Sequence, residues 1–336
     1  MKTIFNSIII CIVFCSCNRQ TNDFFSSQRE IYGEAITVDC LIGRPAEIVC
    51  IDSFLFFYDR YEGQTITVLD IKNDRFVCRF LNEGQGPDEV LVPLKLSVSD
   101  GKKPVVFQMQ NGLLREYDLN GIVDMEQKAL YREYSFEDRP ANIKKTAGGF
   151  VGIGMFEDGR YTLYDENGKA VNMVGKYPFR GEEMSPAERF FLYQGALCAS
   201  PDGSHFAMGS SYCDNLEFYR IENGDASLVR RYETYDVAGN FDRQVSLSDD
   251  CVMNYKGAYG TERYCYMLYS GETFGTQHVR STGGKLILVF DWKGAQVQAL
   301  ASDKLIYSFC VDAADETLYA ITYEEEEGFS ITRYKL

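Results

Sequence analysis

The amino-acid sequence predicts an all-β protein that is built from repeated four-stranded units. Short stretches, such as residues 65–69, 113–117 and 286–290, alternate apolar and polar residues and are rich in β-branched and aromatic side chains. The periodicity of amphipathic helices is nearly absent, and the one clear helix start is at residues 185–188, where an N-cap serine precedes a proline. A hairpin of constant composition also recurs along the chain and defines the repeat.

This hairpin consists of an aromatic or aliphatic residue, a polar residue and a turn that often contains Asn-Gly, which supplies the positive φ of tight hairpins. Its copies occupy residues 69–74, 117–121, 164–168, 219–224 and 290–294, with a truncated copy at 334–336. A pair of strands precedes each copy, which gives four strands in a period of about 45 residues, the pattern of propeller blades. We therefore predict a six-bladed β-propeller.

The predicted blades follow one another without a second domain, so that the propeller spans residues 34–336. They cover residues 45–82, 92–130, 141–177, 193–234, 254–300 and 303–336. The last blade reaches only its third strand, and the alternating residues 35–39 offer a spare strand at the other end of the sequence. We expect this N-terminal strand to pair with the C-terminal blade, which closes the ring and removes two open sheet edges.

The first residues have the pattern of an export signal. Lys2 precedes an apolar stretch at residues 4–14, which is too short for the ~20 residues of a permanent membrane helix and suits a signal peptide. Ser16 before Cys17 resembles a bacterial lipobox, and this resemblance implies removal of residues 1–16 and lipidation of Cys17. An ordinary secretory signal is the alternative. Residues 17–33 are polar and unpatterned, and we expect them to form a tether.

Net charge and cysteine usage exclude some function classes. The 336 residues carry a formal net charge of −15, which argues against nucleic-acid binding and against adhesion to anionic membranes through protein charge. We expect membrane contact through the lipid anchor only. Of 11 cysteines, eight follow Cys17, and most lie within apolar runs without zinc-like spacing. We expect these eight to be buried thiols rather than metal ligands.

Four short motifs resemble a known family of lipoproteins. Residues 84–89 (GQGPDE) resemble the G-x-G-P-G-E element of TolB-like six-bladed propeller lipoproteins of Bacteroidetes-type gut anaerobes. Residues 266–271 (YMLYSG), 289–294 (VFDWKG) and 331–336 (ITRYKL) are similar to the later elements of that family. Asp88 departs from the pattern, which usually has glycine there. The resemblance implies the fold and a cell-envelope location, but it assigns no chemistry because the family's function is not established.

The candidate binding residues lie on one face of the predicted ring. In a propeller, the loops between the second and third strands and those between blades share a face, and here that face carries the long segments 83–92, 178–192, 235–253 and 270–284. Long loops on a rigid scaffold are the usual place for binding. The residues that we expect to bind a polar ligand are Asp59, Arg60, Asp88, Glu89, Arg180, His278 and Arg280.

Two classes of function remain open. The first is a non-catalytic envelope module that binds a peptide, glycan or partner protein as a monomer and needs no cofactor. We expect it on the periplasmic side, because the tether lacks an acidic export run. The alternative is a hydrolase or lyase with Ca²⁺ at the mouth of the central tunnel. The readable inner strands are poor in acids, and two histidines on opposite faces assemble no nucleophilic triad. We therefore favour binding on the periplasmic face of the outer membrane and assign no catalytic or metal residues.

Overall fold

The computed structural model describes residues 27–100, 102–124, 129–240, 246–277 and 283–336. The expected signal peptide, the lipidation site Cys17 and the first part of the tether lie outside the described residues. The regular structure is almost entirely β-strand, with two α-helices, α1 (Leu119–Val123) and α2 (Pro186–Tyr193), and 3-10 turns at Gly181–Glu183 and Phe274–Gln277. In the described part of the chain, no helix has the length and apolar character that crossing a membrane requires.

Most strands of the described residues are short; sixteen of them form four separate four-stranded antiparallel sheets, and eight belong to one sheet that spans two blades. In chain order they are β1 (Gln28–Ile31), β2 (Gly33–Ala35), β3 (Glu47–Ile51), β4 (Phe54–Tyr61), β5 (Gln64–Asp70), β6 (Arg75–Asn82), β7 (Leu94–Ser99), β8 (Lys103–Gln108), β9 (Leu113–Tyr117), β10 (Leu130–Ser135), β11 (Asn142–Thr146), β12 (Gly149–Ile153), β13 (Tyr161–Tyr164), β14 (Ala170–Val174), β15 (Gly195–Ala199), β16 (His205–Ser210), β17 (Asn215–Glu222), β18 (Asp225–Glu233), β19 (Gly239–Asn240), β20 (Ser246–Leu247), β21 (Tyr255–Gly260), β22 (Tyr264–Tyr269), β23 (Gly284–Asp291), β24 (Gln296–Val311), β25 (Thr317–Glu324) and β26 (Gly328–Lys335).

These strands form six blades, which confirms the predicted six-bladed β-propeller. Blades one to four are β3–β6, β7–β10, β11–β14 and β15–β18. Blade five consists of β21, β22, β23 and the first part of β24, and blade six of the second part of β24 with β25, β26 and β2. The long strand β24 therefore passes directly from the outer edge of one blade to the inner edge of the next.

The N-terminal strand closes the ring as expected, but it pairs earlier in the sequence than residues 35–39. β2 pairs with β26, with Gly33 opposite Tyr334 and Ala35 opposite Thr332, and only Ile36 continues the contact through its N–H. Gly33 explains the register, because a Cβ there would lie 2.4 Å from Cγ2 of Thr332. The strand can approach blade six closely only at a residue without a side chain.

The expected tether is also shorter than residues 17–33. β1 runs parallel to the outer part of β24 in blade five, with Gln28 opposite Ala299 and Ile31 opposite Ser302. Only Ile31 of this strand is buried. Edge pairing uses backbone N–H and C=O groups and needs no apolar alternation, so the polar sequence gave no signal for this strand.

The hydrophobic core lies between neighbouring blades. Phe56 and Val68 of blade one, for example, pack in one cluster with Leu96 and Val106 of blade two. Blade six packs in the same way on blade one, where Ile321 and Ile331 share a cluster with Leu55. The six sheets therefore stand around a central axis, with the first strand of each blade innermost.

The cysteines behave as expected for buried thiols. All eight that follow Cys17 are free, and every one except the partly exposed Cys40 is buried. Cys198 of blade four and Cys265 of blade five have their sulfur atoms 3.5 Å apart without a bond between them. These side chains act as small apolar groups between the blades.

Candidate functional site in the central channel

The innermost strands of the six blades surround a cavity of about 560 Å³ along the ring axis. Five of these strands, β3, β7, β11, β15 and β21, pair on one side only, and the sixth, the second part of β24, pairs mainly with β25. Their remaining edges carry backbone N–H and C=O groups that face the axis. The cavity therefore offers hydrogen-bond donors and acceptors around its whole circumference.

Charged side chains are concentrated near the beginning of the inner strands. We call the following residues the channel ring, since each lies within the first three positions of an inner strand and lines the cavity: Glu47, Lys95, Lys144, Gly195, Ala196, Lys256 and Tyr307. Blades two, three and five each contribute one lysine, whereas blade four contributes only small residues. These positions follow the loops between blades, so the ring lies toward the face that carries the long loops, here called the upper face.

One of the three lysines is paired within the ring. The ammonium of Lys95 lies 2.6 Å from Oε1 of Glu47, across the interface of blades two and one. The charge of Glu47 raises the pKa of Lys95, an effect that outweighs the burial of the ammonium group, so this lysine keeps its charge at neutral pH. The pair uses the only carboxylate of the channel ring.

The other two lysines make no hydrogen bond or ion pair with any described residue. Burial is the main cause that lowers the pKa of Lys144; Lys95 lowers it further, and Glu47 opposes the shift. Burial lowers the pKa of Lys256 to about 8, and its ammonium lies 5.9 Å from the ring centroid of Tyr212. Both ammonium groups thus lie where burial disfavours their charged form.

The neighbouring Lys145 provides a contrast on the same strand. Its ammonium lies 3.0 Å from Oε1 of the buried Glu116 and 3.3 Å from Oδ2 of Asp100. Lys145 is therefore neutralised by blade two, whereas Lys144 is not neutralised by its surroundings. Adjacent lysines on one strand have different electrostatic roles because successive side chains of a strand point to opposite sides.

The lower end of the channel has the opposite charge. Carboxylates from the turns on the lower face line it, namely Asp52, Asp100, Glu166, Asp202 and Glu262. The channel is thus polarised along its axis, with lysines toward the upper face and acids at the lower opening. A ligand that is attracted to one end is repelled from the other.

A second cavity of about 440 Å³ adjoins the channel between blades one and six. It shares Ala46 and Tyr307 with the channel and adds the side chains of Arg44 and Arg60. Arg60 forms an ion pair with Glu83 at 2.7 Å, whereas Arg44 has no ion pair among the described residues. Positive charge therefore continues from the channel ring to this part of the upper face.

The structure places two of the predicted binding residues beside this second cavity. Arg60 lines it. Asp59 is buried, and its Oδ2 accepts a hydrogen bond of 3.0 Å from the backbone N–H of Gly43. Asp59 thereby fixes the segment that leads into blade one, while its neighbour reaches the cavity.

The other described candidates stabilise the upper loops and are not gathered around one point. Glu89 accepts a hydrogen bond of 2.8 Å from the N–H of Gly86 within the GQGPDE loop, and Asp88 is exposed there. Arg180 lies 3.1 Å from a carboxylate oxygen of Asp236, which joins two of the long loops. His278 and Arg280 lie outside the described residues.

The sequence pattern does not single out Lys144 or Lys256 as site residues, and it indicates Lys95 only as a non-acidic residue of an inner strand. The available signal was positional. Lysine occupies the second or third position of three inner strands, in the sequences LKL, IKK and YKG, directly after an inter-blade segment. Only the ring geometry brings these positions, which are far apart in sequence, to one cavity.

A metal site is usually built from several His, Cys, Asp or Glu side chains around one point. No group of three or more His, Cys, Asp or Glu side chains within them is placed to bind a metal ion. The channel ring contains three lysines beside its single glutamate, and a lysine-rich site favours anions over Ca²⁺, which prefers several carboxylate and carbonyl oxygens.

Two solved structures have a similar fold. A protein of Bacteroides fragilis assigned to export matches with a TM-score of 0.58 and 12% identity, over 90% of this chain and 94% of that one. A member of the DUF4221 family from Bacteroides vulgatus matches with a TM-score of 0.58 and 10% identity, over 92% of this chain and 97% of that one. No curated protein matches the sequence.

The family assignment rests on a sequence match that covers most of the propeller. The model of the family described as "TolB-like 6-blade propeller-like" matches residues 24–314. This range runs from the N-terminal segment that closes the ring into blade six, and it includes all residues of the channel ring. The chain belongs to the TolB-like family of six-bladed propellers.

Proposed function

We propose that this protein is a lipid-anchored propeller of the bacterial cell envelope that binds a ligand in its central channel without chemical conversion. The ligand is a glycan, a peptide or a segment of a partner protein, and the binding unit is the monomer. The observation that carries this proposal is the channel ring, where two lysine side chains without an ion pair or hydrogen bond to any described residue face a cavity of suitable size. Ligand cavities commonly enclose about 300–1,000 Å³.

The arrangement of the ring favours binding over catalysis. Its acidic and basic side chains, apart from the phenol of Tyr307, are three lysines and one glutamate, and that glutamate is held by Lys95 at 2.6 Å. Acid–base or covalent catalysis by a lysine of lowered pKa, such as Lys256, also needs a second acid or base at the reacting group, and the one carboxylate of the ring is already held by Lys95. Recognition of a polar ligand needs only fixed charges and hydrogen-bond groups, which this channel supplies.

The location in the envelope is supported by the lipobox-like Ser16–Cys17 and by the exported protein of similar fold from Bacteroides fragilis. Cys17 is the expected attachment point of the lipid, and the tether lacks an acidic run near it. We therefore place the protein on the periplasmic side of the outer membrane. Several acyl chains on one cysteine anchor a protein stably, since each buried methylene contributes ~0.8 kcal/mol.

The anchor is tested by replacing Cys17 in the full-length chain. We expect Cys17→Ala to move the protein from the membrane fraction to the soluble envelope fraction, whereas Cys15→Ala leaves it in the membrane fraction. Protease protection in intact cells then distinguishes the periplasmic side from the cell surface. A Cys17→Ala protein that still sediments with membranes, with Cys15→Ala released instead, would move the cleavage site.

The binding role is tested by a thermal-shift panel of envelope glycans, short peptides and divalent ions on the protein without residues 1–17. Each ligand that raises the melting temperature is measured again on a channel variant, Lys144→Gln, and on an upper-loop variant, Asp88→Asn. We expect the shift to be lost in the channel variant and kept in the loop variant. Loss in the loop variant alone would place the site on the loops.

Calcium is the informative member of this panel for the alternative function. If Ca²⁺ alone raises the melting temperature by several degrees, and the channel variant keeps that shift, the binding role in the ring is contradicted. A calcium-dependent hydrolase or lyase would then be the better description.

A further inference from the structure

We propose that the channel takes an anion, namely a small molecule with a carboxylate or phosphate group, in its upper part, where Lys144 and Lys256 line the cavity without an ion pair to any described residue. This inference rests on the proposed binding role of the channel and adds the chemical class of its ligand. The two classes of oxyanion share the same recognition chemistry, since lysine acts on either as a point charge with rotatable donors.

The channel ring has more lysines than carboxylates. Glu47 is already paired with Lys95 at 2.6 Å, so no carboxylate of the ring remains for Lys144 or Lys256. The channel ring, in its upper part, therefore keeps two lysines without an ion pair in a protein whose formal net charge is −15. An anion between blades three and five would supply the missing counter-charge.

Burial removes water from the ammonium groups of both lysines. Both pKa values are lowered mainly because burial penalises the charged form. A partly buried ammonium without a partner is unfavourable, and an oxyanion within hydrogen-bond distance removes that penalty. Binding of the ligand therefore offsets the free-energy cost of burying these ammonium groups.

At blade four, the channel ring is lined by small residues. Gly195 and Ala196 occupy positions equivalent to those of the lysines in the other blades, and both line the cavity. Their small size leaves room beside Lys144 and Lys256. The cavity of about 560 Å³ suits a molecule of roughly one or two sugar units, within the usual range for small-molecule sites.

The direction of entry follows from the charges at the two openings. Arg44 and Arg60 line the adjoining cavity at the upper face, whereas Asp52, Asp202 and Glu262 line the lower opening. An anion is therefore drawn in from the upper face and halted before the lower acids. Acidic residues elsewhere on the surface act weakly in the channel, because salt screens charges beyond about 8 Å at physiological ionic strength.

The test compares matched ligands by isothermal titration calorimetry on the protein without residues 1–17. The probes are glucuronate, glucose 6-phosphate and glucose, which share a sugar ring and differ in charge. We expect glucuronate or glucose 6-phosphate to bind at least about ten-fold more tightly than glucose, with an affinity that falls as salt is added. The tighter of the two acids identifies the carboxylate or the phosphate as the preferred group.

The variants locate the site. We expect Lys144→Gln with Lys256→Gln to abolish the preference for the charged probes, while Lys293→Gln, which removes an exposed charge from a turn on the lower face, leaves it unchanged. Circular dichroism and the melting temperature establish that each variant is folded. If the double variant does not fold, the single variants Lys144→Gln and Lys256→Gln each must lower the affinity.

The possible failures are distinguishable. If glucose binds as tightly as glucuronate and glucose 6-phosphate, or if no charged probe binds, the anion inference is wrong. The binding role survives that result when an uncharged or cationic member of the thermal-shift panel still loses its effect in Lys144→Gln. If no ligand in either experiment responds to the channel variants, both proposals fall.

Discussion

Lys256 occupies a position that lowers the stability of the folded protein. It lines the channel and has no ion pair among the described residues, and burial lowers its pKa to about 8 from the ordinary lysine value of 10.5. Between these two pH values the unfolded chain binds more protons than the folded one, so this residue makes stability rise with pH across that window. Below pH 8 the penalty is fully present.

Replacement of Lys256 by methionine should therefore stabilise the folded protein. We expect Lys256→Met to raise the free energy of unfolding by ~1–3 kcal/mol at pH 7, since one pKa unit corresponds to about 1.4 kcal/mol. The gain should shrink as the pH rises from 8 toward 10.5. Urea unfolding of both proteins at pH 7 and pH 10 checks this, and an equal difference at both pH values would contradict the charge argument.

The buried thiols allow a second prediction at the residue scale. Burial raises the pKa of Cys50 and of Cys213 to about 12 and that of Cys78 to about 11, which suppresses the reactive thiolate. In the folded protein without residues 1–17, we expect one thiol to react readily with Ellman's reagent, and eight to react after unfolding. Cys40→Ser should remove the reactive one. Fewer than eight thiols after unfolding would reveal a disulfide, and the close pair Cys198 and Cys265 would be its first candidate.

At the scale of elements, the closure of the ring depends on one short strand. β2 supplies the outer strand of blade six, and Arg333 of that blade bonds to Glu34 of β2 and to Asp74 of blade one. Ile36 follows β2 and is buried between blades six and one. The N-terminal segment thus joins the first and last blades through backbone pairing, ion pairs and apolar packing.

Gly33 is the residue on which this closure depends most. A Cβ at this position would lie 2.4 Å from Cγ2 of Thr332 and 2.6 Å from the ring of Tyr334. We expect Gly33→Val to displace β2 and lower the free energy of unfolding by ~2–4 kcal/mol, through lost ladder hydrogen bonds and an exposed sheet edge.

The control is Ala35→Val, because Ala35 lies on the same strand with an exposed side chain. Denaturant unfolding should show a large loss for Gly33→Val and a change within about 0.5 kcal/mol for the control. Equal stability of both variants would show that β2 contributes little to the closed ring.

At the scale of the whole molecule, the propeller separates an acidic exterior from a channel whose upper part is basic. The outer surface carries most of the negative charge, while the lysines of three different blades converge on the axis. Such convergence requires closure, since Lys95, Lys144 and Lys256 lie on separate sheets. The fold therefore creates the site, and the stability of the ring and the geometry of the site are coupled.

Features that depend on local sequence could be predicted, whereas features that depend on contacts between blades could not. The blades were predictable because each depends on local signals, such as the Asn223–Gly224 turn, whose φ values of 53° and 77° suit a tight hairpin. The exact closing strand was less predictable, because edge pairing is made by the backbone and was set by the small size of Gly33. The lysines of the channel were not predicted, because a lysine in a short apolar strand gains its meaning only from residues in other blades.

Anomalous diffraction from crystals soaked in bromide tests most directly whether the channel ring is an anion site. We expect a bromide ion in the channel, in contact with the ammonium groups of Lys144 and Lys256, and none there in crystals of the double glutamine variant. Bromide found only on the outer surface, or a cation found in the channel ring, would contradict the account.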